Sequence, residues 1–402
     1  MLNGATHMSE PTAEKPRARL LSLDAYRGLT LLAMASSGLG IAKMVNADPV
    51  SNFWWDQIAN QLDHTAWRGC SFWDMIQPTF MFIVGVAMPF SFENRRAQGE
   101  SWWKMLGHAA FRSLVLVGLG VFLASQGSKH TNFVFTNVLA QVGLGYMFVF
   151  LLLGRHPALQ GGVACAILVI DWLLFATHPL PEHGFPWISV GIYPGWPRLH
   201  GFLEHWEKNV NFASHFDQWF LNLFPQPDGV PFKFNPGGYT TLNFVPSIST
   251  MIFGVMAGQW LRSHRSASEK MATLLILGAV GIVLGTALDN NICPVVKRIW
   301  TPSWVIYSTG WTVWQLAAFY WVIDVRGFHR WALPLVVVGV NSIAMYMMWQ
   351  LSHGWVRSIL KTHIGQNIFD GPNGPIIESV SVLFVWWLVC FWMYKRRIFL
   401  RI

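Results

Sequence analysis

The stretch His64–Met88, HTAWRGCSFWDMIQPTFMFIVGVAM, sets a polar head holding His64, Trp67 and Arg68 directly before an apolar run that contains Asp74 and Pro78. A carboxylate about one turn inside such a run is costly in lipid, so it usually faces a polar cavity and has a task there. Pro78 is expected to free a backbone carbonyl on the same helix, which also suits a helix bordering a cavity. His64 falls at the boundary of the run. A neutral imidazole there can take a proton from an attacking amine or accept an acyl group. Asp74 can orient that imidazole and stabilise its charged form, the division of labour in a catalytic triad. Three readings stay open for these residues: a structural histidine at the membrane boundary, an acid–base pair, and a metal site with Asp63 and a histidine from an outer loop. No compact ligand spacing supports the last, so no metal is predicted.

Three further motifs carry polar groups where lipid would not want them. In Ser22-Leu23-Asp24-Ala25-Tyr26-Arg27-Gly28, Asp24 and Arg27 stand three apart and can pair on one helix face. They either anchor the end of a span or present Arg27 to an anionic cofactor. In Cys293-Pro-Val-Val-Lys-Arg-Ile-Trp-Thr-Pro302, Lys297 and Arg298 sit on a side of the membrane where basic residues are unexpected, which makes them candidates to hold a ligand. Asn341 and Tyr346, in GVNSIAMY, are polar groups inside an apolar run. They line a cavity or bond between helices.

The elements that must position these residues are membrane helices. The 402-residue chain is 53% hydrophobic and 12% charged, about half the charge of a soluble domain. Ten apolar runs are long enough to read as spans, at about 28–46, 72–92, 106–126, 133–153, 160–178, 241–261, 271–288, 303–323, 332–352 and 375–394. With the N-terminus inside, the larger share of the 28 Lys and Arg falls in inner segments, including Arg95, Arg96, Arg262, Arg265 and the tail Lys395–Arg397. The expected fold is therefore all-α, a polytopic bundle of about ten spans with both termini cytoplasmic. The net charge of +8 resides in short loops between apolar runs, which argues against nucleic acid.

Residues 1–18 read as a disordered cytoplasmic lead and 19–402 as one transmembrane domain with a large periplasmic loop at about 179–240. That loop carries Trp187, Trp196, Trp206 and Trp219 with His183, His200, His205 and His215, and its aromatics suit either sugar faces or an interfacial belt. Gly254 with Gly258, and Gly281 with Gly285, form small-xxx-small pairs that let helices approach closely. Of four cysteines, Cys165 and Cys390 read as buried thiols, and Cys70 and Cys293 could meet outside the membrane.

SLDAYRG, H-x-x-W-x-G with D-x-x-x-P-x-F-x-F-I-V-G at 64–85, CPVVKRIWTPSW, GVNSIAMY and the KRRIFLRI tail occur in this order. Together they resemble heparan-α-glucosaminide N-acetyltransferase, a lysosomal membrane enzyme, and its bacterial relatives. The resemblance runs from about residue 20 to the end. It implies transfer of an acetyl group from cytoplasmic acetyl-CoA to a terminal glucosamine amine on the other side. It also implies that His64 is the active-site histidine, general base or acetyl acceptor, with Asp74 beside it. By the same resemblance Asp74, Asp24, Arg27, Lys297, Trp300 and Asn341 are motif positions that build the site; the expected division gives Arg27, Asp24 and Asn341 to the cofactor, and Trp67, Arg68, Lys297, Arg298 and Trp300 to the acceptor. Departures from the family stand at Arg68, at Ala140–Gln141 and at Ser36–Ser37, close to the reacting centre. The expected setting is a bacterial inner membrane, with the lipid bilayer and an amino sugar or oligosaccharide as partners and a homodimer allowed. The competing function is a transporter or flippase for a sugar or glycolipid, with Asp74 and His64 as a proton relay. No internal repeat of the kind many carriers show is evident.

Overall fold

The computed structural model describes residues 20–47, 52–226 and 229–400. The polar lead expected at 1–18 lies outside them. Fourteen α-helices and no strands form among the described residues. They are α1 Leu21–Ala35, α2 Ile41–Ala47, α3 Phe53–Gln61, α4 Ile76–Ala97, α5 Trp102–Ala124, α6 Val138–Leu151, α7 Pro157–Ala176, α8 Phe212–Leu221, α9 Phe244–Arg262, α10 Ala267–Asp289, α11 Pro302–Phe319, α12 Leu333–Gly339, α13 Ser342–Ile364 and α14 Gly374–Lys395.

Local chemistry marks many of the starts. Asn52, Ser101 and Asn137 cap α3, α5 and α6 through their side-chain oxygens, and Ser266 with Glu269 makes a full capping box at α10. Pro157 and Pro302 stand in the first turns of α7 and α11, where a missing N–H costs nothing. Pro78 lies within the helix that runs on from the turn Trp73–Met75, and its missing N–H deprives the Asp74 carbonyl of its i+4 donor. A second interior proline is Pro89, and its carbonyl accepts a hydrogen bond from Arg262 Nη1 at 2.7 Å.

Among the described residues, six helices are long and apolar enough to cross a membrane: α4, α5, α7, α9, α10 and α14. Two bent pairs bring the number to eight if each is one span. These are Leu21–Ala35 with Ser37–Asn46, bent by 42°, and Arg330–Gly339 with Ser342–Ile364, bent by 66°. The ten apolar runs each overlap one of these helices or α6 or α11. α6, however, has 14 residues, about 21 Å at helical rise, which is short of a ~30 Å hydrocarbon layer. α11 is interrupted by Ser308, Thr309, Thr312 and Gln315. Apolar character and spanning length are separate properties, and the runs reveal the first more reliably than the second.

α4 and α9 are the centre of the bundle. About two thirds of their apolar windows are buried (61% and 67%), against 17% for α5 and α10, which face outward. Glycine makes that centre possible. A Cβ on Gly254 or Gly258 would collide with the Phe82 or Val86 carbonyl, and one on Gly85 with that of Met251. Gly281 and Gly285 admit Gly310 and Tyr307 of α11 in the same way, so both expected small-residue pairs are packing devices. α1 runs antiparallel to α4: Ala33 borders Met75, and Leu23 packs in one cluster with Val86.

The segment between α7 and α9 is folded. It contains α8 and short helical turns at Trp187–Val190 and Gly201–Trp206. Leu199, Leu203, Trp206 and Ala213 from it build a core with Trp67, Phe175, Val296 and Ile299. Cys70, Cys293 and Cys390 are free, and Cys165 is free and exposed on α7. Cys165 was expected to be buried; in a lipid-facing helix an apolar neighbourhood says nothing about burial.

Candidate functional site

α4 begins with a helical turn at Trp73–Met75 whose start is closed by a reciprocal pair. Asp74 N donates to Ser71 Oγ and Ser71 N donates to Asp74 Oδ2, each at 3.2 Å. This is a capping box with aspartate in the acidic place, so the turn that starts α4 also fixes Asp74. Three more donors converge on the same oxygen: Ser71 Oγ at 3.0 Å, Thr65 Oγ1 at 2.9 Å and Thr65 N at 3.1 Å. Asp74 is 1% exposed, and a helix start favours its negative charge.

The other oxygen, Oδ1, lies 2.6 Å from His64 Nδ1 and 3.2 Å from Lys297 Nζ. A carboxylate cannot donate, so Nδ1 carries the proton, an assignment made from the network. Lys297 Nζ is also 3.2 Å from Nδ1, but two donors cannot bond, so the ammonium belongs to Asp74. Nε2 is then the basic nitrogen of an imidazole whose side chain is 35% exposed. Lys297 is 5% exposed. Burial draws its ammonium below the ordinary lysine range and Asp74 opposes that pull.

The loop carrying Lys297 is held by Arg68. Its guanidinium grips both oxygens of Asp289, at 2.9 Å from Nε and 2.8 Å from Nη2, and also reaches Asn290. Asp289 Oδ1 in turn accepts from Val295 N at 2.6 Å, and Gly69 N donates to Val295 O at 2.8 Å. Gly69 stands at φ 112°, a conformation that favours glycine. Arg298 ties the same loop to the segment between α8 and α9 and to Thr65, donating to Gly237 O at 2.7 Å and to Thr65 O at 3.1 Å. Trp300 adopts φ 52° and is buried, with Nε1 donating to Thr250 Oγ1 at 3.3 Å. A non-glycine residue so placed costs free energy that its surroundings must supply, a condition common at functional sites.

Trp67 is buried too, donating from Nε1 to Trp206 O at 3.1 Å beneath Gly238. Trp67 and Trp300 are thus walls of the site rather than free faces. Of the tryptophans between α7 and α9, Trp206 is core, Trp187 is stacked by Arg198 at 3.7 Å, Lys208 lies over Trp196 at 4.3 Å, and Trp219 is 63% exposed.

The structure therefore joins His64, Asp74, Lys297, Arg298, Arg68, Trp67 and Trp300 at one end of α4. Asp24, Arg27 and Asn341 stand elsewhere, since the start of α1 lies toward the other end. Arg27 pairs with Asp24 at 3.7 Å, and Leu21 N donates to Asp324 Oδ1 at 3.2 Å. Asn341, fully buried at the 66° break, accepts from Leu400 N at 3.2 Å, while its Nδ2 has no partner. Sequence reasoning missed Thr65 and Ser71. The Ser71-x-x-Asp74 spacing of a capping box was the signal available for the second. Among the described residues no group of three or more His, Cys, Asp or Glu is arranged to hold a metal.

No family model matches the chain. It is similar to two curated proteins, both heparan-alpha-glucosaminide N-acetyltransferase, from Homo sapiens and Mus musculus. Each is 24% identical, and the match covers 96% of this chain and 60% of the relative. The chain thus spans about three fifths of the length of these relatives.

Proposed function

From its kinship with heparan-alpha-glucosaminide N-acetyltransferase along nearly its whole length, we propose that this chain is a membrane acyltransferase. In this reading it moves an acetyl group from cytoplasmic acetyl-CoA to an amino sugar on the periplasmic side, and all ten apolar helices cross or enter the bilayer of a bacterial inner membrane. The observation that carries the proposal is the buried Asp74, 2.6 Å from His64 Nδ1 and 3.2 Å from Lys297.

The donor supplies a thioester, an acyl group already activated for attack. The chain's own work is proton handling and positioning. Asp74 holds the imidazole in the Nδ1–H tautomer and stabilises it as Nε2 takes the proton of the incoming amine; as the amide C–N bond forms and the thioester C–S bond breaks, Nε2 returns that proton to the departing thiolate. The Lys297 ammonium keeps Asp74 ionised, so the acceptor of that bond survives burial. Arg68 and Arg298 fix the loop that delivers Lys297, which is positioning rather than contact. Acceptor access falls to the outer segment, whose Tyr239 lies beneath Arg298 at 5.4 Å.

A crevice between α1 and α4, lined by Tyr26, Thr30, Ala33, Phe72, Met75 and Thr79, approaches the site from the side of α1. At ≈ 30 Å³ it admits water but not an acyl arm. Loading the donor by this route requires α1 to part from α4, and the bend at Ser37–Gly40 is where the chain can yield.

The test is direct. Purified protein in detergent receives labelled acetyl-CoA and glucosamine, and N-acetylglucosamine is assayed. Product from the native chain and none from His64→Ala supports the reading. Accumulation of unmodified sugar in proteoliposomes, without product, would replace it with transport. Label retained on the His64 peptide when acceptor is withheld separates acyl transfer through Nε2 from direct transfer.

A further inference from the structure

At the end of the bundle opposite His64, α4, α5 and α6 enclose a cavity of ≈ 190 Å³ whose wall includes Arg95, His108, Arg112 and Tyr146. We propose that it binds the phosphate headgroup of an anionic phospholipid, with Arg112 as the principal cation.

Arg112 is the centre of the case. Its guanidinium lies over the Tyr146 ring at 4.8 Å, and its Nε is buried without a hydrogen-bond partner. Among the described residues no carboxylate forms an ion pair with it, and the lining of the cavity contains no Asp or Glu. A guanidinium stacked on a ring, with its Nε buried and unanswered, is stabilised by an acceptor that arrives from elsewhere. Arg95 adds a second charge at the rim, where Glu100 holds it at 3.0 Å, and His108 adds a ring nitrogen to the same wall. A single tetrahedral anion meets the geometry of two guanidinium groups better than a carboxylate does.

The choice of lipid over a soluble anion comes from where the cavity opens. Phe111 is part of its wall and is 63% exposed, and Trp103, at the head of the same helix, is 75% exposed. α5 is among the least buried spans, so the opening faces the bilayer at the depth where aromatic residues mark the headgroup layer. Basic pockets between membrane helices at that depth suit anionic headgroups. Acyl chains would lie along Phe111 and the outer face of α5.

Full-length protein in neutral detergent is titrated with dioleoylphosphatidylglycerol, dioleoylphosphatidylcholine or inorganic phosphate, following the melting temperature and bound lipid by native mass spectrometry. The expected result is saturable binding and a rise in Tm with phosphatidylglycerol that phosphatidylcholine does not reproduce. Arg112→Gln should weaken it about fivefold or more, in line with the worth of one basic residue at an anionic surface. Should that variant fail to fold, Arg95→Gln at a half-buried position and His108→Gln at an exposed one must each weaken phosphatidylglycerol binding while leaving any phosphatidylcholine effect intact. Equal responses to the two lipids, or variants that bind phosphatidylglycerol as tightly as the native chain, would overturn the proposal. Inorganic phosphate competing at micromolar concentration would overturn it as well, in favour of a soluble ligand.

Discussion

At the residue scale, Asp74 is both the capping residue that starts α4 and the anchor of His64 and Lys297. The two roles can be separated. His64→Ala removes no group that Asp74 needs for the cap, so the protein should keep its Tm and lose transfer by roughly 10²-fold or more, measured as product per minute. Asp74→Asn should cost activity by a similar or larger factor, because an amide can donate to Nδ1 and favour the wrong tautomer. Lys297→Met leaves a buried carboxylate without its cation and should cost about 3–5 kcal/mol of stability. The double variant Asp74→Asn with Lys297→Met should recover much of that, and a double variant no more stable than Lys297→Met alone would refute the pairing. Asp217, on α8, accepts from Thr241 N at 2.9 Å, and its burial pushes the carboxyl up to about 6. A raised carboxyl binds a proton more readily in the folded state, so its contribution is present below about pH 4 and lost as pH rises through about 6. Asp217→Asn should therefore be more stable than the native chain at pH 8, by up to about 3 kcal/mol, and level with it at pH 4. Thermal melting across that range decides it.

At the element scale, the contact of α4 with α9 depends on having no side chain at Gly85, Gly254 and Gly258. Gly254→Leu should push the helices apart and abolish folding, whereas the same change at Gly162, where a Cβ meets nothing, should be silent. Yield of monodisperse protein distinguishes the two. The segment between α7 and α9 is fastened differently. His178 Nε2 and His215 Nδ1 are 2.9 Å apart, and His205 bonds the His178 carbonyl at 2.8 Å, tying the end of α7 to α8. Burial, then the neighbouring His215 and His205, depress the His178 pKa. A depressed imidazole binds fewer protons folded than unfolded, so stability is lost as pH falls below about 6.5. Amide exchange across α8 should accelerate between pH 7.5 and 5.5, and His178→Gln should flatten that response.

At the scale of the whole molecule, the ends of the bundle are chemically unlike. One gathers His64, Lys297 and the aromatic outer segment; the other gathers Arg95, Arg96 and Arg262 at the ends of α4 and α9. The proposed orientation makes the second end cytoplasmic. In a background with all four cysteines changed to serine, Asp63→Cys should react with an impermeant maleimide from the periplasmic side, and Arg396→Cys only after permeabilisation. Labelling of both from one side would end the cross-membrane reading. The antiparallel course of α1 beside α4 also explains why Asp24 and Arg27 are distant from His64 although their motifs are neighbours in the sequence.

Helical character and the approximate place of every apolar run were written in local composition, because lipid selects on each residue separately. The His64–Asp74 pairing was only half legible: an intramembrane carboxylate points to a task, but a lone boundary imidazole reads more readily as structural, and the 2.6 Å contact is what joins the two. Lys297 and Arg68 were visible as oddities, but their tasks were not. That Lys297 reaches Asp74, and that Arg68 braces its loop through Asp289, depends on contacts more than two hundred residues apart in sequence. Composition likewise does not state that Trp67 and Trp300 are buried walls, or that Leu199, Leu203 and Trp206 pack in one core with Trp67. Burial is a property of the assembled neighbours, and only the tertiary structure decides who those neighbours are.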